Sequence, residues 1–335
     1  MTYARALSGT LHRLLESDPR VVLLGEDVLD PYGGAFKVTK GLSTDFPTRV
    51  RATPVSEAAI AGVSGGLALA GFRPIAEVMF GDFLGLCFDQ IVNHIAKYRP
   101  MYDGATTCPV IIRTPMGGGR GYGPTHSQSL EKHFLGVPHL RVVAGSLWHD
   151  PMALFANFLA ADSPVLHIEH KLLYPLPMRA GGDTPGTEAT ADDGSAGFPP
   201  TVSIRPVGRE ECSVTVVAYG YQAELARRVL DRLAIEEELF GELLVPAQLS
   251  PIDWGPIERS VAVTGSVLTV EEGTGGWSWG TEVAAQVGAR LFGHLRRAPR
   301  VLASACDVIP SAADREAEML VGERQIEDAI RAGAA

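Results

Sequence analysis

The chain has 335 residues, 46% of them hydrophobic and 20% charged, the balance of a globular protein of about two domains. Its formal net charge of -10 argues against binding a nucleic-acid backbone, and its longest uncharged apolar run, 58–72, is too short and glycine-rich to span a membrane. Cys87, Cys108, Cys212 and Cys306 are scattered without a CxxC pair, which disfavours a disulfide framework or structural zinc and fits a reducing, cytoplasmic setting.

Residues 1–15 carry Arg5 and Arg13 and no acid, as transit peptides do. Yet Ala4, Leu7, Leu11 and Leu15 make a helical stripe that leads into an apolar strand at 21–24, so a first helix of the domain is expected. Further buried strands are expected at 75–79, 110–113, 140–144 and 165–169, with helices at 57–70, 84–98 and 150–161 between them. This alternation implies an α/β domain over 1–178, with a largely parallel sheet flanked by helices. Ligands in such sheets sit at the carboxyl ends of the strands.

The first such end is Gly25-Glu26-Asp27, followed by Gly33-Gly34. It reads either as a polar turn or as a carboxylate brought to a site. Next comes 53–71, where Glu57 opens a run with no other charge until Arg73. Pro54 and Ser56 mark a helix start, and Ala58, Gly62, Gly66 and Ala70 share one helical face. Each glycine there costs roughly 1 kcal/mol against alanine, so close backbone approach is the expected compensation. By itself Glu57 fits a surface acid favouring the helix dipole better than a buried functional one. Phe80-Gly81-Asp82-Phe83 follows the second strand and places an aromatic where it can meet a heteroaromatic ring or simply fill the core. Residues 117–123 hold five glycines in seven positions, suited to close approach of a ligand or to positive φ. They match neither a P-loop nor a dinucleotide fingerprint. His126 stands behind them, before an expected helix from Gln128, where it can donate a proton or clamp an anion. GxSxG occurs by letter at 62–66 and 276–280, but neither has the strand-to-helix setting and partner order of a hydrolase, and no HExxH is present.

Residues 179–206 turn rich in Gly, Ala, Thr, Asp and Pro and read as a flexible linker. Alternation resumes over 207–335, with strands at 213–218, 242–245 and 266–270 and helices at 222–233 and 280–292: a second, smaller α/β domain.

Taken in order, LLGEDV…GGAFKVTKGL (23–42), TPVSEAAIAG (53–62), RPIAEVMFGDFLGLCFDQIVNHIAK (73–97), RTPMGGGRGYGPTHSQSLEKHF (113–134), PIDW (251–254) and VEEGTGGWSWGTEVA (270–284) resemble one family. It is the beta subunit of the thiamine-diphosphate-dependent decarboxylating component of 2-oxo acid dehydrogenase complexes, a transketolase relative. The resemblance covers almost the whole chain outside the linker and tail. It implies a pyrimidine-binding domain and a transketolase-like C-terminal domain. It implies that Glu57 hydrogen-bonds a ring nitrogen of the aminopyrimidine and that Phe83 packs on that ring. His126 would lie near the substrate carboxylate and the acyl acceptor, and Glu26 close to the cofactor. Some members bind potassium, at positions matching Val110, Ala161 and Asp162.

The family holds the cofactor's Mg²⁺ through a Gly-Asp-Gly…Asn motif on its alpha subunit, and no Gly-Asp-Gly occurs here. The resemblance therefore implies an obligate alpha partner, a site at the interface, an α2β2 assembly, and a lipoyl-bearing acyltransferase or acyl carrier protein as acceptor. The small-residue face from Ala58 to Ala70 is the candidate for subunit packing. The sequence departs from the family in its long polar linker, in Pro246-Ala247-Gln248, and in the tail from Asp307 to Asp314. These departures keep a second reading open: a biosynthetic pair that passes a two-carbon ketol or acyl unit to a carrier protein or other acceptor. A non-catalytic partner and a nicotinamide dehydrogenase are disfavoured, the first by intact Glu57, Phe83 and His126, the second by the missing glycine fingerprint.

Overall fold

The structure, a computed structural model, describes residues 1–179, 186–192, 196–209 and 211–334. Helix α1 (Tyr3–Ser17) starts at a Thr2 cap and buries Leu7, Leu11 and Leu15 of the expected stripe, together with Leu14, while Ala4 is half-buried. Then come β1 (Val21–Gly25), the short helix α2 (Leu42–Asp45), β2 (Val50–Ala52), α3 (Glu57–Leu69) and β3 (Arg73–Glu77). After α4 (Tyr98–Met101) follow β4 (Ile111–Met116), β5 (Arg141–Ala144), α5 (Pro151–Ala160) and β6 (Val165–His170). The second half runs β7 (Thr187–Asp192), β8 (Thr201–Pro206), β9 (Val214–Ala218), α6 (Gly220–Glu236), β10 (Gly241–Pro246), β11 (Gln248–Ser250) and α7 (Trp254–Thr264). It ends with β12 (Val267–Thr274), α8 (Trp279–Arg290), β13 (Arg300–Ser304), α9 (Ala313–Met319) and α10 (Glu323–Ala334).

Two sheets result. The first has the order β11-β5-β6-β4-β3-β1-β2 and is parallel except at β11. The second has the order β13-β12-β9-β10-β8-β7 and is parallel except for the β7–β8–β10 pairings. Helices flank both, as the alternation implies. Strand β11 follows β10 of the second sheet yet pairs with β5 of the first, so the halves share an edge and a continuous core.

Three expectations fail. Residues 187–192 and 201–206, read as linker, form a hairpin on the second sheet in which Ala189 pairs with Ile204. Composition points to mobility there, but backbone hydrogen bonds to β10 order a segment whose side chains alone could not. The rest of that linker at 180–185 and 193–195 lies outside the described residues. The helix expected over 84–98 is replaced by a 3-10 turn at Gly81–Cys87, a π-turn at Gln90–Ile95 and α4. The 3-10 turn aligns residues three apart, which brings Phe83 beside Phe80. No helix starts at Gln128; only a 3-10 turn, Glu131–His133, forms there.

The fourth difference concerns α3. Its buried face is Glu57, Ile60, Ala61, Ser64, Gly65 and Ala68. The Ala58–Gly62–Gly66–Ala70 face, expected to pack closely, is open in this chain, with no atom within 4 Å of a Cβ built at Gly66. Val63, next to Gly62, is 54% exposed, and Val55, just before the helix, is 84% exposed.

Candidate active site

Because β1, β2, β3, β4 and β6 are parallel neighbours, their carboxyl ends share one side of the sheet. Every segment singled out for the cofactor and substrate leaves from that side. Glu26 follows β1, and Glu57 opens α3 five residues past β2. Phe80 and Phe83 follow β3, the glycine loop follows β4, and His170-Lys171 ends β6.

Glu57 is buried, at 6% exposure, and no hydrogen bond reaches its carboxylate from the described residues. Ser56 caps the helix by accepting from the Ala59 N–H, which leaves Glu57 in its first turn. Glu26 is also buried, and its Oε1 has no partner. Burial and then the charge of Glu57 push the Glu26 carboxyl up, against the Ser56 N–H. The Cys87 thiol on the turn facing α3 is pushed up to about 12, first by burial and then by Glu57. Two carboxylates thus sit together, shielded, with no cation beside them.

Phe83 and His126 do meet, with ring centroids 5.2 Å apart in an edge-on contact. Phe80 lies 4.8 Å from the same imidazole and 5.6 Å from Phe36, and Tyr122 closes the aromatic wall. His126 Nδ1 pairs with Thr125 Oγ1 at 2.9 Å. The structure adds residues that the sequence reading missed. Lys171 is fully buried, donates to the His126 carbonyl, and lies 5.2 Å over the Phe80 ring. Burial pushes its ammonium down to about 8, against the pull of Asp82 and Glu272. Asp82 Oδ1 accepts from the Gln128 N–H and side-chain amide, which ties the His126 segment to the Phe83 turn. The available signal was the run His167-Ile168-Glu169-His170-Lys171, too polar for a strand buried at every position.

The glycine loop does not present its amides to a ligand. Gly118 N–H donates to Glu272 Oε1 at 2.8 Å, and Gly119 and Gly121 donate to the two oxygens of Glu316 at 3.0 and 2.8 Å. Val110, Ala161 and Asp162 lie at the amino ends of β4 and β6, away from Glu57. There the Val110 carbonyl accepts from the Val165 N–H, and Asp162 pairs with Arg73 at 2.5 Å. Among the described residues no group of three His, Cys, Asp or Glu is placed to hold a metal, and no helix is long and apolar enough to cross a membrane.

Shielded carboxylates without a protein cation, one of them with no hydrogen-bond donor among the described residues, fit a nitrogen heterocycle that brings its own proton. Comparison with known proteins agrees in kind. Residues 1–177 match the transketolase pyrimidine binding domain, and 205–326 match the transketolase C-terminal domain. The 2-oxoisovalerate dehydrogenase subunit beta of Bacillus subtilis is 34% identical over 333 residues, covering 99% of this chain and 98% of that protein. The pyruvate dehydrogenase E1 component subunit beta of Leifsonia xyli subsp. xyli is 36% identical, covering 86% of this chain and 81% of that one. The acetoin:2,6-dichlorophenolindophenol oxidoreductase subunit beta of Cupriavidus necator is 34% identical, covering 87% and 85%. In fold, the chain is similar to a split-gene transketolase described as an inactive beta4 tetramer, with a TM-score of 0.75 and 21% identity over 100% of this chain and 99% of that one.

Proposed function

This chain belongs to the family of 2-oxo acid dehydrogenase beta subunits with a transketolase-like fold, and on that premise we propose that it forms the pyrimidine-binding half of a thiamine-diphosphate-dependent decarboxylase that passes its acyl group to a lipoyl carrier. Thiamine diphosphate, when bound, supplies a carbon nucleophile and a cationic ring that accepts the electrons left by carbon dioxide. Glu57 holds a ring nitrogen of the aminopyrimidine through a charge-assisted hydrogen bond. The observation that carries this reading is the pair Glu57 and Glu26, buried together with no cation beside them. Isolated buried carboxylates are costly, so a ligand that donates to them is favoured. Glu26 keeps a proton more readily than an exposed acid and shares the site with Glu57. Phe83 offers a ring to the pyrimidine. His126, held against Phe80 and Phe83, faces the substrate carboxylate and the incoming acceptor.

The diphosphate and its Mg²⁺ are assigned to an alpha subunit in an α2β2 assembly. The open α3 face supports this: it is uncharged, flat at Gly62 and Gly66, and flanked by exposed Val55 and Val63. Such a face favours close packing by another chain. A lipoyl-bearing acyltransferase would be the next partner. Potassium, if the family site operates here, would be held by backbone oxygens near Val110, Ala161 and Asp162 and would stabilise that edge of the sheet.

The test is reconstitution with an alpha chain that carries the Gly-Asp-Gly…Asn motif. The pair should decarboxylate pyruvate or branched 2-oxo acids and acylate a lipoyl domain. Transfer to a carrier-protein thiol, or activity on a ketose phosphate, would select the biosynthetic reading instead. Tight binding of thiamine diphosphate and Mg²⁺ by this chain alone would overturn the half-site assignment.

A further inference from the structure

The glycine loop resembles an anion cradle, yet its anions are built in. Gly117, Gly119, Gly121 and Gly123 all have positive φ, between 67° and 95°, and alternate with ordinary residues. That alternation turns successive N–H groups toward a common concave side. The groups filling that side come from the second domain. Glu272, on β12, accepts from the Gly118 N–H at 2.8 Å, the Ser129 hydroxyl at 2.9 Å and His170 Nε2 at 2.8 Å. Burial pushes Glu272 up, but His170, the Gly118 N–H and the Ser129 hydroxyl together hold it at about 2, so it stays an acceptor. Glu316, on α9, is 2% exposed and spans two amides, Gly119 with Oε1 and Gly121 with Oε2. A Cβ at Gly118 would lie 2.5 Å from the end of the Leu320 side chain, so the tail packs directly against the loop there. Lys171 closes the far end of the loop by donating to the His126 carbonyl.

We propose that Glu316 and Glu272 are positioning residues: second-domain carboxylates that lock the 117–121 backbone and thereby fix where His126 stands against Phe80 and Phe83. This rests on the reading of His126 given above, but the clasp itself can be tested without it. A carboxylate suits the task because it accepts at both oxygens, whereas an amide would turn one donor against a donor.

The experiment uses the full chain, with amide hydrogen exchange at the loop glycines and the NMR chemical shifts of the His126 ring protons. Glu316→Ala should speed exchange at Gly119 and Gly121 by about ten- to a hundredfold and move the His126 ring resonances as its contacts with Phe80 and Phe83 change, with Gly118 and the β9 and β12 amides much less affected. Glu316→Gln, which keeps one acceptor, should free one of the two amides and serves if the alanine variant fails to fold. Glu318→Ala, on the same helix but solvent-facing, should change nothing. In the reconstituted pair Glu316→Ala should lower kcat for decarboxylation and acyl transfer about tenfold. Wild-type exchange at Gly119 and Gly121 in both Glu316 variants would overturn the clasp. Equal acceleration of all second-domain amides would overturn the positioning role by making Glu316 a general stability residue. If the wild-type pair shows no activity, the function reading fails while the exchange data still judge the clasp.

Discussion

The first domain buries two pairs of acids at the same side of one sheet, and they are treated in opposite ways. Glu77 and Glu169, at the ends of β3 and β6, bracket Arg113 on β4. Its guanidinium donates to Glu169 Oε1 at 2.8 Å, to Oε2 at 2.5 Å, and to Glu77. Tyr174 adds a bond to Glu169 at 2.7 Å. Burial pushes Glu169 up, but Arg113 and then His167 hold it at about 2. Glu26 and Glu57 have no such cation. One pair is complete within the chain; the other is complete only when something else arrives. A network that satisfies itself serves the fold, whereas one left open at the cost of burial points to a ligand.

That contrast can be broken most sharply at Arg113. Arg113→Met should lower stability by about 3–5 kcal/mol in urea unfolding, because two buried carboxylates lose their counter-charge. A loss under about 1 kcal/mol would mean that the two pairs do not differ in kind. Glu57→Gln should do the reverse. It removes one of two neighbouring buried charges, so stability should hold or rise, while decarboxylation by the reconstituted pair falls about a thousandfold. Loss of both stability and activity would place Glu57 with the structural pair.

Glu271 is an intermediate case. It is buried, with the Ser278 hydroxyl and the Gly280 N–H (2.9 Å) as donors, and of the cations only the more distant Lys132 opposes its burial without forming an ion pair. Burial first, then Glu131, raise its carboxyl to about 7 against those donors, from an ordinary 4.5. The folded chain therefore keeps a proton that the unfolded chain releases. Stability should fall as pH rises from about 4.5 to about 7, by at most about 3 kcal/mol, and then level off. Glu271→Gln should flatten that slope and make the chain more stable at pH 8, as read from urea midpoints across pH. The smallest expected effect is at Phe83. Phe83→Ala should weaken thiamine diphosphate binding to the reconstituted pair about tenfold, by titration, with little change in kcat. An unchanged affinity would remove the ring from the site.

The sequence was legible wherever local chemistry decides structure. The stripe Leu7-Leu11-Leu15, the apolar strands and the Ser56 start of α3 all follow from spacing and capping within a few residues. That Glu26, Glu57, Phe83 and His126 leave from the carboxyl side of the sheet was legible because they come after strands, and the ordered motifs singled them out. The β7–β8 hairpin was missed, since its order comes from β10, far along the chain. Glu316 was missed for the same reason: a glutamate in an acidic helix carries no local mark of burial, whereas Lys171 was marked only by the polar run that ends β6.

Residue order alone thus determined the alternation of strands and helices, the carboxyl-end placement of the acids and rings, and the lack of a diphosphate motif. These depend on side-chain period and on the rule that parallel strands end on one side. Only the tertiary structure decided which acids are neutralised, that the glycine loop is filled by the chain's own carboxylates, and that the glycine face of α3 is left open. Charge pairing and packing depend on distance in space, and those partners stand up to 197 positions apart in sequence.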